Sequence, residues 1–296
     1  MHKIEKQGTI DLDIVESNPI IFKGKPWLME YVRQKDVHGP SHSYHANALG
    51  KAYCRFRNLE DCQSFSKPFG IGYCFGNAFA ENDHIVVTVT DYWGGTGFYV
   101  LESDDMEHWS EPRPIYENAA KRCYNSSLCK AANGKFVNAL EIGDVADALE
   151  NYILFAETTD FKQWKIIPGA RCKKGAPVLR YYDGWYFYIC LLGDYTNGFN
   201  TCIFRSQDLQ NWEPSPQNPI LPFDEDDRLI HPKANLTQQQ LDTIAKAVNI
   251  NASDMDMCTY QGKTIVSYSW GDQKGHEFLA LATINATERD FCFSCF

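Results

Sequence analysis

The sequence predicts an all-β fold: a five-bladed β-propeller with one short helical insertion before the last blade. Three observations carry this prediction. A strand–tight turn–strand unit recurs five times, at spacings of roughly 50 residues. A second unit, Ser/Thr-x-Asp-apolar-x-x-Trp, follows several of these hairpins. The chain has 296 residues, of which 44% are hydrophobic and 14% aromatic, enough to bury a large core. The five-fold recurrence of linked elements separates this reading from an irregular β-sandwich.

The hairpins come in order. The first pairs Asn18–Phe22 with Trp27–Val32 across Lys23-Gly24-Lys25. The second pairs Gly76–Phe79 with Ile85–Thr90 across Glu81-Asn82-Asp83. The third pairs Asn125–Leu128 with Phe136–Glu141 across Asn133-Gly134. The fourth pairs Ala176–Leu179 with Trp185–Ile189 across Asp183-Gly184. The fifth pairs Ser253–Met257 with Thr264–Tyr268 across Gln261-Gly262. Gly and Asn at these turns supply the positive φ that tight hairpins demand. The capped turn reads clearly at Ser103–Trp109, Thr159–Trp164 and Ser206–Trp212. Degenerate copies are expected at Leu59–Phe65 and Ala286–Phe291. The Asp or Ser caps the turn, and the Trp packs between neighbouring sheets. Between about residues 224 and 250 the β pattern breaks, and Thr237 with Gln240 forms a helix-capping box. No linker divides the chain, so residues 1–296 are expected to form one domain.

Charge and composition exclude several classes. The net charge of −10 argues against nucleic acid as a partner. No run of about 18 apolar residues is present, which argues against a membrane helix. The N-terminal Met1–Lys6 lacks the apolar stretch of a secretory signal, so a cytoplasmic location is expected. Eleven cysteines is an odd number, and most lie in apolar runs, as expected of reduced thiols. The Cys292-Phe293-Ser294-Cys295 motif has no second pair to complete a zinc tetrahedron. Phosphate-binding loops, zinc-protease helices and nucleophile elbows are absent. No cofactor is implied, although a central channel could take a structural calcium. The oligomeric state is left open.

A propeller gathers the starts of its first strands and the ends of its second strands at one rim, which makes a funnel. Those positions hold Asn18, Asn77, Asn125, Asp254, Glu30, Asp91, Trp93, Glu141, Asp194, Trp270, Asp272 and Gln273. Glu141 ends the apolar run Phe136–Leu140, surroundings that suit a general acid. Asp254 is the one acid at a first-strand start, and strand alternation puts Asp256 on its face. An acid and a base across a funnel suit glycoside hydrolysis. The same acids would otherwise cap turns, pair with an arginine or bind an ion. Trp93, Trp270, Tyr92, Tyr124 and Tyr195 could stack on sugar rings. Asn77 and Asn125 could bind hydroxyls, and so could Gln273. Arg180 could bind substrate or partner one of the acids. The loop His38–His45 would overhang the funnel and bring His45 to substrate. A metal held by His42 and His45, or a plain solvated loop, are the other readings of that segment.

The capped turns, the strand starts and the closing stretch Asn251–Asp256 through Gly271–Gln273 resemble the five-bladed propeller glycosidases. The nearest resemblance is to glycoside hydrolase family 43 and its relatives. It spans about residues 14 to 296 and specifies fold better than substrate. The family usually carries its catalytic base Asp on the first strand of blade 1, where this chain has Asn18. Family 43 also uses an Asp two blades on and a Glu three blades on. Counted from Asp254, those positions are Asp91 and Glu141. The resemblance thus implies Asp254 as base, Asp91 as orienting group and Glu141 as general acid. It implies a carbohydrate substrate and an inverting hydrolase. A non-catalytic sugar-binding propeller, a protein-binding scaffold and a glycoside phosphorylase are the alternatives.

Overall fold

A computed structural model describes residues 1–32, 52–91, 94–144, 151–172 and 175–296. The chain is mostly β, built of antiparallel sheets as in a β-propeller. The N-terminal strand is β1 (Ile4–Leu12). The first sheet contains β2 (Asn18–Phe22), β3 (Lys25–Val32) and β4 (Tyr53–Asn58). The next contains β5 (Cys74–Glu81), β6 (His84–Thr90), β7 (Gly97–Ser103) and β8 (Arg113–Glu117). Then come β9 (Lys121–Lys130), β10 (Phe136–Asp144), β11 (Asn151–Thr158) and β12 (Lys165–Cys172). A fourth group is β13 (Val178–Tyr182), β14 (Trp185–Asp194), β15 (Gly198–Ser206) and the short β16 (Glu213–Pro214). The last is β17 (Asn251–Tyr260), β18 (Lys263–Gly271) and β19 (Glu277–Ile284). It joins the fourth group through a single parallel pair, Phe199 with Asn251.

Each hairpin turns where the sequence predicts, because its two central residues take positive φ. The pairs are Lys23-Gly24, Asn82-Asp83, Asn133-Gly134, Asp183-Gly184 and Gln261-Gly262. Each first strand of a hairpin lies inward and touches the next in the order β2, β5, β9, β13, β17, and β17 returns to β2. Polar side chains stitch this ring. Asn18 Oδ1 accepts from the Ala78 amide at 2.6 Å, Asn77 Oδ1 from Leu128 at 3.0 Å, and Ser127 Oγ from Leu179 at 3.0 Å.

Three elements depart from the sequence reading. β1 was not expected: it pairs antiparallel with β19 and completes the last sheet. The segment Ala286–Phe291 is not a capped turn. Its Thr287 caps a helix instead, α2 (Glu288–Ser294), accepting from the Asp290 amide at 3.2 Å. The capped turn read as Thr159–Trp164 starts one residue earlier, since Thr158 Oγ1 takes the amides of Asp160 and Phe161 at 3.3 and 3.1 Å. The insertion does hold a helix, α1 (Gln238–Lys246), and Thr237 with Gln240 caps it as expected.

Candidate active site

The inner strands leave a narrow cavity at the end where they begin. Glu16, Phe75, Asn125, Ala176 and Asp254 line it, together with Asn77 and Asp256. Four of these five share one backbone state, with φ of 54° at Glu16, 53° at Phe75, 52° at Ala176 and 51° at Asp254. Left-handed backbone at a non-glycine residue is uncommon, and here it recurs at one point of the repeat. It accompanies bulges between Cys74 and Asn77 and between Ser253 and Asp256. The bulge turns the side chain at its centre toward the axis. The structure therefore aligns Asp254 with Glu16, two residues before Asn18. The reading of Asp254 as the one acid at such a position is corrected, because Glu16 holds the matching place in the first sheet. A spacing of two residues before Asn18 and Asp256 alike was the signal available in the sequence.

Glu141, on β10, is buried directly behind two residues of this cavity, Asn125 and Ala176. Asn125 Nδ2 donates to its Oε2 at 2.9 Å, the Ala176 amide to Oε2 at 3.1 Å, and Asn151 Nδ2 to Oε1 at 3.1 Å. The apolar surroundings expected from Phe136–Leu140 are thus replaced by a polar cradle. The reason is that neighbouring strands, not its own, supply its contacts. Gly175 makes the approach possible, since a Cβ there would lie 2.5 Å from Glu141 Oε1. Asp254 is partly buried, and burial raises its carboxyl to about 6. The Ser253 and Ser269 hydroxyls oppose the shift, while the charges of Glu277 and Glu141 add to it. Glu277, on β19 and buried, is a group the sequence reading missed. Asn125, Glu141 and Asp254 are therefore brought together. Gln273 joins them through Ser253, to which its Nε2 donates at 3.3 Å.

Other candidates go elsewhere. Trp270 is not at the rim: it is fully buried, stacked on Phe278 at 4.3 Å, and its Nε1 donates to Thr9 Oγ1 at 2.8 Å. Alternation on β18 explains this, because Val266, Tyr268 and Trp270 share one buried face. Arg180 is not in the funnel. Its guanidinium donates to Asp256, to Glu288 Oε2 at 2.8 Å and to the Met257 carbonyl at 2.8 Å. It lines a second cavity of about 520 Å³ at the far end of the inner strands. Asp256 touches the first cavity, yet its carboxylate is occupied by Arg180 and by Asn77 Nδ2 at 3.2 Å. Asn77 is thereby a stitch between strands, its two ends bound to Asp256 and Leu128. Asp91 folds back on its own turn, accepting from the Gly97 amide at 3.3 Å and Thr96 Oγ1 at 3.4 Å. Its charge acts on Tyr73, Tyr99 and Cys123. Trp93 and His45, with the rest of the His-rich loop, lie outside the described residues. Among the described residues no cluster of His, Cys, Asp or Glu is placed to hold a metal ion. Nor is any helix there long and apolar enough to cross a membrane.

The sequence itself matches no family model and no curated protein. Solved structures match the fold. A thermostable family-43 glycoside hydrolase superposes with a TM-score of 0.62 at 9% identity, over 91% of this chain and 89% of that one. The α-L-arabinofuranosidase of Podospora anserina, solved with cellotriose, gives 0.59 at 10% identity, over 92% of this chain and 91% of that one. A family-43 protein of Bacillus licheniformis gives 0.59 at 15% identity. There 95% of this chain covers 56% of the other, so this chain spans little more than half of it. At such identities the likeness is one of fold: the chain folds as the family-43 glycoside hydrolases and their arabinofuranosidase relatives do.

Proposed function

We propose that the chain is a single-domain, five-bladed propeller glycosidase that hydrolyses a small oligosaccharide or polysaccharide fragment by acid–base catalysis. The observation that carries this reading is that Asp254 lines a cavity two of whose other lining residues, Asn125 and Ala176, hold Glu141, burial and with it the charge of Glu141 raising Asp254 to about 6. A carboxyl that keeps its proton up to about pH 6 suits the proton donor. We therefore assign Asp254 as the acid and Glu141, cradled by three N–H donors, as the base, the reverse of the roles implied by the resemblance. The cavity between the strand starts holds about 30 Å³. That is about the volume of one water. Asp91 keeps a turn-capping role, and the ring of the sugar would rest on the rim above.

The test is turnover of oligosaccharides and aryl glycosides by Glu141→Gln and Asp254→Asn. Each variant is expected to lose at least ~10²-fold in kcat while calorimetry shows retained sugar binding. In the wild type, activity falls as pH rises past about 6, where Asp254 loses its proton. Full activity in either variant overturns the assignment. A wild type that binds sugars and turns none over supports the sugar-binding alternative, and turnover only with phosphate supports the phosphorylase.

A further inference from the structure

Ser253 sits beside Asp254 at the foot of the bulge and is fully buried. A serine hydroxyl has one hydrogen to donate and two lone pairs with which to accept. Both accepting positions are filled: Asn251 Nδ2 donates to Ser253 Oγ at 2.9 Å and Gln273 Nε2 at 3.3 Å. The single hydrogen is left for Asp254 Oδ2, at 2.9 Å. Gln273 is itself held in place. Its backbone has a φ of 55°, and its carbonyl accepts the Tyr195 hydroxyl at 3.1 Å. The Tyr195 ring packs edge-on against Phe199 at 5.1 Å while 59% of the residue stays exposed.

We propose that Gln273 and Asn251 are positioning residues, which lock Ser253 as a donor to Asp254 Oδ2 and so leave the acid proton on Oδ1. The catalytic meaning of this relay rests on the glycosidase reading. A general acid must present its O–H toward the leaving oxygen, and a carboxyl free to hold its proton on either oxygen does so only part of the time. With the relay in place, the Asp254 Oδ1–H bond breaks as an O–H bond forms on the departing sugar oxygen. The glycosidic C–O bond breaks, and water deprotonated by Glu141 supplies the new one. The acidic groups that face Asp254 are Glu277 from β19, Glu141 from β10 and Glu16 ahead of β2. Against these three act two hydroxyls, that of Ser253, which donates to Oδ2 at 2.9 Å, and that of Ser269.

The test is a carbon-13 NMR titration of the Asp254 side-chain carboxyl in the full-length protein, which needs no turnover. Ser253→Ala is expected to move the midpoint up by about one pH unit, and Ser253→Thr to restore it. Gln273→Ala is expected to move it up by part of that amount, because the freed hydroxyl no longer points only at Asp254. A Gln273→Ala midpoint equal to that of the wild type overturns the relay, as does an unmoved Ser253→Ala. An active enzyme with unmoved midpoints leaves the glycosidase reading standing and removes the relay. Shifted midpoints in a protein that cleaves no glycoside do the reverse.

Discussion

Asp254 shows at the scale of one residue how a site is built against stability. Its carboxyl normally titrates at 3.8 and is raised to about 6 in the fold, chiefly by burial. The folded state thus holds the proton more tightly than the unfolded chain does. Below pH 3.8 both states are protonated and nothing is lost. Between there and pH 6 the unfolded chain ionises first, and folding loses at most about 3 kcal/mol, at 1.36 kcal/mol per pH unit. Asp254→Asn is therefore expected to raise the melting temperature at pH 7 and to bring no gain at pH 3.5. Equal shifts at both pH values would count against this. Gly175→Ala acts in the opposite sense, since the added Cβ would collide with Glu141 Oε1. It is expected to cost activity out of proportion to stability, as read by kcat against melting temperature. The sequence made Glu141, Asn125 and Asp254 legible, because each flanks the apolar run of a repeated hairpin, although the strands themselves extend past all three. It hid Glu16 and the true roles of Asp256, Asn77 and Arg180. One extra residue at a bulge shifts which side chain faces the axis, and strand alternation does not announce bulges.

The capped turn is the repeated element that joins sheet to sheet. In β7's turn Ser103 Oγ takes the Met106 amide at 3.0 Å, and Asp105 Oδ1 takes the amides of Glu107 and His108 at 2.8 and 2.7 Å. The turn after β15 repeats this with Asp208 on Gln210 and Asn211 at 2.9 and 2.8 Å. Each cap sets up a Trp. Trp109 stacks on Phe56 of β4 at 6.2 Å and on Phe69, which bridges to β4 at Cys54, at 3.8 Å, and Trp212 lies on Phe155 at 6.0 Å. Trp109→Ala removes that contact between sheets and is expected to destabilise by about 3–5 kcal/mol in urea unfolding. A cost under about 1 kcal/mol would show that the ring is not part of the joint. This element was the most legible part of the chain, because the hydrogen bonds that define it are local and recur in a fixed order. The copy expected at Ala286–Phe291 failed because Thr287 has helix-forming residues after it in place of an Asp at the capping position. There the same side-chain oxygen caps a first helical turn.

At the scale of the molecule the question is how the ring of sheets closes. β1 comes from the opposite end of the chain and completes the sheet of β17, β18 and β19. A buried ionic network ties this strand to the first sheet. Arg57 donates to Glu30 and to Asp11 of β1, and Arg55 Nε donates to Glu30 Oε2 at 2.7 Å. The insertion grips the same strand from outside. Asp227 is fully buried, receives Lys6 Nζ at 2.7 Å and the Tyr268 hydroxyl at 2.9 Å, and its carbonyl accepts Thr9 Oγ1 at 3.0 Å. β1 was not read from the sequence because Ile4–Leu12 has weak alternation and no turn to a neighbouring strand, its partner lying more than 260 residues away. A closure made of one antiparallel pair and two buried carboxylates predicts cooperative failure. Removing β1 would bare the edge of β19, take Asp11 from Arg57 and take Lys6 from Asp227. Breaking the network at one point, by Asp227→Ala, takes the buried acceptor from the Tyr268 hydroxyl and one of two carboxylates from Lys6, which keeps Asp224 at 2.9 Å, and is expected to cost about 1–3 kcal/mol. Truncation of residues 1–12 is expected to abolish the cooperative thermal transition seen by circular dichroism and to promote association through the exposed edge. A truncated protein that melts sharply at the temperature of the full chain would show that the ring closes without β1.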